Sequence, residues 1–194
     1  MRKKQLGLML ALCMALSSTP VLANETSSPD SAISTLSSES ISISTFDELK
    51  DAFANGGTYT LAKDITVTKV LSLSSGKTLV INGNNHILQP EVTGLNDQGV
   101  VNKDASYIKI IENSGNLEIK DLKIYGGKDK AIYNKGTLKA ENVSIEKAHG
   151  SGGAGLYNSG KVSMKNCLIR RNASDSNGGG FSNDSGGIII LENT

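Results

Sequence analysis

Cysteine is nearly absent from this chain, which has only two in 194 residues. Cys13 lies in an N-terminal apolar run that we expect to be removed as part of a signal peptide, which leaves Cys167 alone. One cysteine cannot form an intramolecular disulfide or supply a cysteine-based zinc site. A disulfide scaffold is therefore excluded, and stability must come from a buried core.

Long apolar runs are also lacking beyond the first 23 residues. There, a basic segment precedes an apolar run over residues 6–16, which is too short to span a bilayer. Small side chains at the end of this region predict cleavage between Ala23 and Asn24. We therefore expect an exported protein, secreted or at the cell surface, with a membrane connection only through a missing or separate anchor.

An excess of charge of one sign is lacking as well. Without residues 1–23, the chain has 17 Lys and Arg against 19 Asp and Glu, a net charge near −2. Such a balance provides no electrostatic attraction for nucleic acid or for an anionic membrane. We therefore expect no nucleic-acid partner.

Serine and threonine dominate the next segment, where they account for 12 of the 22 residues from 24 to 45. Few apolar side chains are available to offset the entropy of ordering, so residues 24–44 are predicted to be a flexible spacer. Residues 40–44 alternate between serine and isoleucine, a pattern that is compatible with a short strand. A glycosylated stalk is the alternative interpretation of this composition.

Repetition is abundant in this sequence. Segments 110–124, 131–145, 155–169 and 180–194 align with one another, and their asparagines are separated by 21, 24 and 25 residues. In the first three segments apolar residues alternate with polar ones, as in strands with one buried face. A polar pair interrupts this alternation once in each of them, which indicates a corner.

Asparagine marks two equivalent positions of this repeat. Units that stack at the strand spacing of about 4.8 Å place like residues above one another, so their amides can form ladders. Asn and Asp also tolerate the left-handed backbone of a sharp corner. The expected ladder and corner residues are Asn113, Asn134, Asn158, Asn183, Asp121, Asn142, Asn166 and Asn193.

These patterns predict an all-β fold, a parallel β-helix solenoid of about six coils over residues 58–194. Thr45 and Glu48 form a capping-box signature, which predicts a helix over residues 45–57 that covers the open end of the solenoid. No similar segment follows the strand at residues 188–191. We therefore expect a truncated protein or a fragment; the alternative is that a partner or end-to-end self-association covers this last coil.

Two stretches resemble known proteins. FDELKDAFANGGTYTLAKDITVTKVLSLSSGKTLVINGNNHIL resembles the N-terminal opening of bacterial right-handed parallel β-helix proteins of the pectin-lyase-like superfamily. GGAGLYNSGKVSMKNCLIRRNASDSNGGGFSN is similar to repeats of secreted adhesins and polymorphic outer-membrane proteins, although Gly155 replaces the isoleucine of their Gly-Gly-Ala-Ile motif. Their aromatic-x-x-Asn motif is one residue short here, at residues 181–183. The resemblance implies a right-handed solenoid, on which both enzymes and adhesins occur.

The segment after the second strand of each unit is six, nine and ten residues long in successive units. Variable loops on a regular scaffold commonly carry function, and these contain His149, Arg170 and Arg171 with Asp129 and Asp175. A hydrolase needs a pair of carboxylates and a calcium site needs several, and no such cluster is evident. We therefore expect solvated loops without a catalytic residue, cofactor or metal.

Three further candidates have structural interpretations. His149 lacks a second ligand nearby, so a metal role is not expected. Cys167 lies in an apolar column and is predicted to be a small core side chain. Tyr133 and Tyr157 stack one coil apart; we expect them to close the core at a turn, the alternative being an outward platform for a sugar or a protein.

The leading functional hypothesis is a non-enzymatic, surface-associated, adhesin-like protein. It would bind a host or cell-surface glycan or protein through its solenoid face and loops. The alternative is a polysaccharide lyase or glycoside hydrolase of the pectin-lyase-like superfamily, or a truncated relic of one. A third possibility is a purely structural protein of the cell envelope.

Overall fold

A computed structural model describes residues 40–91, 109–176 and 178–194. The predicted signal peptide, its cleavage site and most of the predicted spacer lie outside these residues. The elements in chain order are β1 (Ile41–Ile43), α1 (Phe46–Asn55), β2 (Gly57–Leu61), β3 (Ile65–Val67), β4 (Leu71–Leu73), β5 (Thr78–Asn82), β6 (Ile87–Pro90), β7 (Ile111–Asn113), β8 (Asn116–Lys120), β9 (Lys123–Tyr125), β10 (Ile132–Asn134), β11 (Thr137–Glu141), β12 (Ser144–Glu146), β13 (His149–Gly150), β14 (Leu156–Asn158), β15 (Lys161–Lys165), β16 (Leu168–Arg170), β17 (Ala173–Ser174), β18 (Phe181–Asn183) and β19 (Ile188–Glu192).

The strands build three parallel sheets, which the chain visits in the same order in each turn. The first sheet has the order β1-β2-β5-β8-β11-β15-β19, the second β3-β6-β9-β12-β16 and the third β4-β7-β10-β14-β18. All strand pairs within them are parallel. The molecule is therefore a parallel β-solenoid of about five turns, which confirms the predicted fold class and is close to the six coils expected.

Apolar residues form columns on the inner face of each sheet. In the first sheet, the column Leu79, Leu117, Leu138 and Val162 is at most 2 % exposed. In the second sheet, Ile145 pairs with the equivalent isoleucines above and below it. Full burial of such a side chain stabilises a fold by roughly 1.5–3 kcal/mol, so these columns form the hydrophobic core.

A ladder of asparagine amides crosses the inner face of the third sheet. Asn113 Nδ2 donates to Asn134 Oδ1, Asn134 Nδ2 to Asn158 Oδ1, and Asn158 Nδ2 to Asn183 Oδ1, each at 2.7 Å. The first three residues are fully buried. Asn134 Nδ2 also donates to the carbonyl oxygens of Gly136 and Lys161, so the ladder connects strands of the third sheet to the turns that follow them.

A second column of Asn and Asp forms the corner between the first and second sheets. Asp121, Asn142, Asn166 and Asn193 have φ values between 50° and 54°, in the left-handed region that these residue types tolerate. Asn142 Nδ2 donates to Asp121 Oδ1 at 2.9 Å, and Asn193 Nδ2 donates to Asn166 Oδ1 at 3.3 Å. The repeated conformation turns the chain by the same amount in every turn.

Helix α1 packs against β3 and β4 at the first turn. The Thr45 side chain accepts from Glu48 N while the Glu48 carboxylate accepts from Thr45 N, so the predicted capping box is present. The helix is shorter than the 45–57 range predicted for it, because Gly57 already begins β2. No helix within the described ranges is long and apolar enough to cross a membrane.

The end of the predicted spacer was assigned wrongly. Residues 41–43 form β1, which pairs in parallel with β2, and Ile43 is buried in the core. The alternation of serine and isoleucine in residues 40–44 provides the apolar side chain that makes this pairing favourable.

Asn134→Asp tests the ladder. The new carboxylate would face carbonyl oxygens and an amide oxygen, so its pKa in the folded state would be raised. We expect a loss of about 3–5 kcal/mol in the free energy of unfolding at pH 7. A raised folded-state pKa makes the loss smallest below the unfolded value of about 3.9, and it grows as the pH rises above that value.

Chemical denaturation between pH 3 and pH 8 measures this loss. Asn116→Asp is the control, because Asn116 is exposed at the start of β8 and the change should cost less than about 0.5 kcal/mol. Equal effects of the two substitutions would contradict a structural role for the ladder.

Candidate functional site

The segment that leads from the second to the third sheet, here called the connection, is ordered in the described turns. Its residues stack: β13 pairs in parallel with β17, and Lys128 forms a bridge to His149. Gly150 permits the close approach of the turns, since a Cβ there would lie 1.9 Å from the carbonyl oxygen of Asp129. The expectation of solvated loops is therefore wrong here, because the main chains of successive connections hydrogen-bond to each other.

A cleft of about 860 Å³ opens along the connections of all the turns. It is the side of the solenoid on which the turns differ in length, as expected for a functional surface. Its lining residues are Thr68, Lys69, Val70, Lys109, Glu112, Lys128, Asp129, His149, Gly150, Ser151 and Asp175.

Ion pairs link neighbouring turns around the cleft. Asp129 binds Lys130 Nζ at 2.7 Å and Lys109 Nζ at 3.6 Å. His149 Nε2 lies 3.3 Å from the Asp175 carboxylate, and the His149 side chain is only 13 % exposed. The cleft thus brings together Asp129, His149 and Asp175, which the sequence placed in different columns.

The two tyrosines face outward, which corrects the expectation that they close the core. Tyr133 and Tyr157 alternate with buried neighbours on β10 and β14, and their rings lie 5.2 Å apart in an edge-to-face arrangement. Lys109 and Lys135 ammonium groups lie 4.9 and 4.7 Å from the centre of the Tyr133 ring, and Lys130 lies 5.3 Å from that of Tyr157. The Asn ladder occupies the inner positions of these strands, so the rings cannot also point inward.

A column of lysines precedes the third sheet. Lys69, Lys109 and Lys130 each lie two residues before the mutually paired strand residues Leu71, Ile111 and Ile132. They therefore occupy the same position in three consecutive turns. The sequence interpretation missed this column, although its signal was present: each lysine lies four residues before Leu73, Asn113 or Asn134, which are also paired.

Arg170 has a structural partner instead of a free position in a loop. Its Nε and Nη2 atoms donate to the Glu146 carboxylate at 2.9 and 3.3 Å. Burial disfavours the charged form of Glu146, but hydrogen bonds from Ser144 and Arg170 outweigh it and lower the pKa of this carboxyl group. Arg171 is exposed at a corner with φ of 53°, outside the lining of the cleft.

Cys167 is buried in the core, where burial raises the pKa of its thiol. The thiol is thus held as a neutral core group. Among the described residues, no group of three or more His, Cys, Asp or Glu side chains could hold a metal ion.

No protein-family model, no curated protein and no solved structure matches this chain. The solenoid is therefore established by its strand pairing alone.

Glu146→Gln tests the buried ion pair. We expect it to lower the free energy of unfolding by about 1.5–3 kcal/mol at pH 7, because a charged hydrogen-bond acceptor is lost. The folded-state pKa of Glu146 is lowered, so its contribution is present above the unfolded value of about 4.3 and is lost as the pH falls through the folded value.

Denaturation of the variant and the unaltered protein should therefore converge on acidification. Glu118→Gln, at an exposed position of the first sheet, is the matched control and should change stability by less than about 0.5 kcal/mol. A constant difference between pH 3 and pH 8 would contradict this assignment.

Proposed function

We propose that this chain is an exported, surface-associated, adhesin-like protein that binds a glycan or protein ligand in the cleft without cleaving it. The cleft itself carries the proposal: a concave, polar surface of about 860 Å³ spans the turns on the side where their lengths vary. Export is inferred from the basic and apolar N-terminal segment. Membership of the pectin-lyase-like superfamily belongs to the same proposal, and the solenoid fold and the resemblance of the sequence support it.

Binding is favoured over catalysis because the acidic groups of the cleft are already engaged. Asp129 is bound by two lysines, and Asp175 by His149. A glycosidase needs one carboxylic acid and one carboxylate on opposite sides of the scissile bond. Here the ion pairs fix the side chains as a preformed polar surface, which suits recognition.

A polysaccharide lyase or hydrolase is the second candidate, since the cleft does bring two aspartates and a histidine together. Asp129 and Asp175 come from turns two apart, which separates their main chains by about 10 Å. Carboxyl groups of inverting glycosidases lie about 6.5–9.5 Å apart. This similarity requires that product formation be measured together with binding.

Glycan-array and cell-binding assays with the purified protein test the proposal. Ser151→Trp should fill the cleft and reduce binding more than tenfold, because Ser151 is exposed and lines it. Ser163→Trp, at an exposed position of the first sheet, is the control and should retain binding. Both variants should show the melting temperature of the unaltered protein.

Parallel assays for unsaturated products and for new reducing ends address the second candidate. We expect neither on any polysaccharide that the protein binds. Depolymerisation that Asp129→Asn or Asp175→Asn abolishes would replace the binding function by catalysis. Absence of binding to any glycan or cell would overturn the proposal.

A further inference from the structure

The column formed by Lys69, Lys109 and Lys130 places like charges at one position of three consecutive turns. Adjacent strands lie about 4.8 Å apart, and like charges that face each other at this spacing destabilise a sheet. A solenoid with no use for such a column could carry neutral side chains there, as the fourth turn does with Ala154, two residues before Leu156. The lysines therefore require a compensating anion.

The protein supplies only part of that compensation. Asp129 is the single carboxylate that contacts the column, binding Lys130 and Lys109. Its φ of 88° lies in the left-handed region, which is unfavourable for a side chain other than asparagine or glycine. Among the described residues, none forms an ion pair with Lys69, which is exposed at the edge of the cleft.

The wider surroundings of the cleft also hold more cations than anions. Lys128 lines the cleft and Lys135 binds Glu112 beside it. Together with the column, five lysines therefore accompany three carboxylates, those of Glu112, Asp129 and Asp175. The cleft thus has an excess of about two positive charges on a chain whose predicted mature form has a net charge near −2.

We propose that the cleft binds an anionic polysaccharide, with its carboxylate or sulfate groups placed along the lysine column. This inference rests on the proposed function and adds the chemical class of the ligand. The column runs across the turns, so a linear polymer that lies along the solenoid meets one ammonium group in each of three turns. Its charges complete the compensation that Asp129 provides only in part.

The surrounding groups favour a sugar polymer over a nucleic acid. Proteins that bind single strands without sequence preference stack bases on exposed aromatic faces. Here, lysine ammonium groups lie over both tyrosine rings, and the rings contact each other edge to face. The carboxylates of Glu112 and Asp175 can accept hydrogen bonds from sugar hydroxyls, whereas they would repel a phosphate backbone.

The test compares two variants with the same change in charge. In the column variant, Lys69→Gln, Lys109→Gln and Lys130→Gln are combined. In the control variant, Lys120→Gln, Lys139→Gln and Lys161→Gln are combined on the first sheet, away from the cleft. Lys69→Gln alone is included as well, because Lys69 is exposed and its loss leaves the fold intact.

Binding is measured by calorimetry for four polymers: heparin as a sulfated chain, hyaluronan as a carboxylated chain, dextran as a neutral chain and oligo-dT as a nucleic acid. We expect heparin, hyaluronan or both to bind, and their affinity to fall as salt is added. Each lysine of the column should contribute about two- to fivefold, so the column variant should lose at least about tenfold. The control variant should lose less than twofold.

The possible results separate this inference from the proposed function. Binding of dextran in preference to both anionic glycans, with the sensitivity to Ser151→Trp retained, would leave the cleft as a ligand site and overturn the anionic class. Tighter binding of oligo-dT than of either anionic glycan would overturn the choice of polymer. Equal losses in the column and control variants would show a nonspecific charge effect, which also contradicts the inference.

Discussion

The amide of an inward-facing asparagine can satisfy both its donor and its acceptor only if the next turn presents the same residue at the same height. This requirement fixes the register of the third sheet, because a slip of one residue would replace each asparagine with an outward-facing side chain. The register then places leucine above leucine and isoleucine above isoleucine in the other sheets. The corner residues Asp121, Asn142 and Asn166 repeat the same backbone turn, so the three sheets stay aligned.

The fixed sheets leave one part of each turn that is free to vary. Between the second and third sheets the chain can add residues without changing any inward column. The added residues in turn stack on the connections of neighbouring turns, as β13 and β17 do, so they form a wall that is itself held by main-chain hydrogen bonds. The cleft is therefore a consequence of regular sheets joined by unequal connections. Its charged side chains are held by ion pairs between turns, such as that of Asp129 with Lys109.

Sequence patterns predicted the solenoid because its determinants repeat at nearly constant intervals. The strand alternation, the two asparagine positions and the capping box of α1 are all local signals. The connections were predicted less well, since their lengths differ and no residue marks their register. The outward orientation of Tyr133 follows from the inward position of Asn134 next to it. The lysine column was missed because Leu73 stands where the later turns have asparagine, so the repeat appeared to begin one turn later.

The corners and ladders are periodic, and each turn occupies 21 to 25 residues. Genetic duplication or deletion of one such unit would join two turns that already match in every column. The solenoid could then grow or shrink by whole turns while its core remained continuous. If each added turn carried a lysine at the position of Lys109, the track for a polymer would lengthen by about 4.8 Å per unit. Unequal recombination between neighbouring repeats would thereby adjust the length of ligand that the protein can engage.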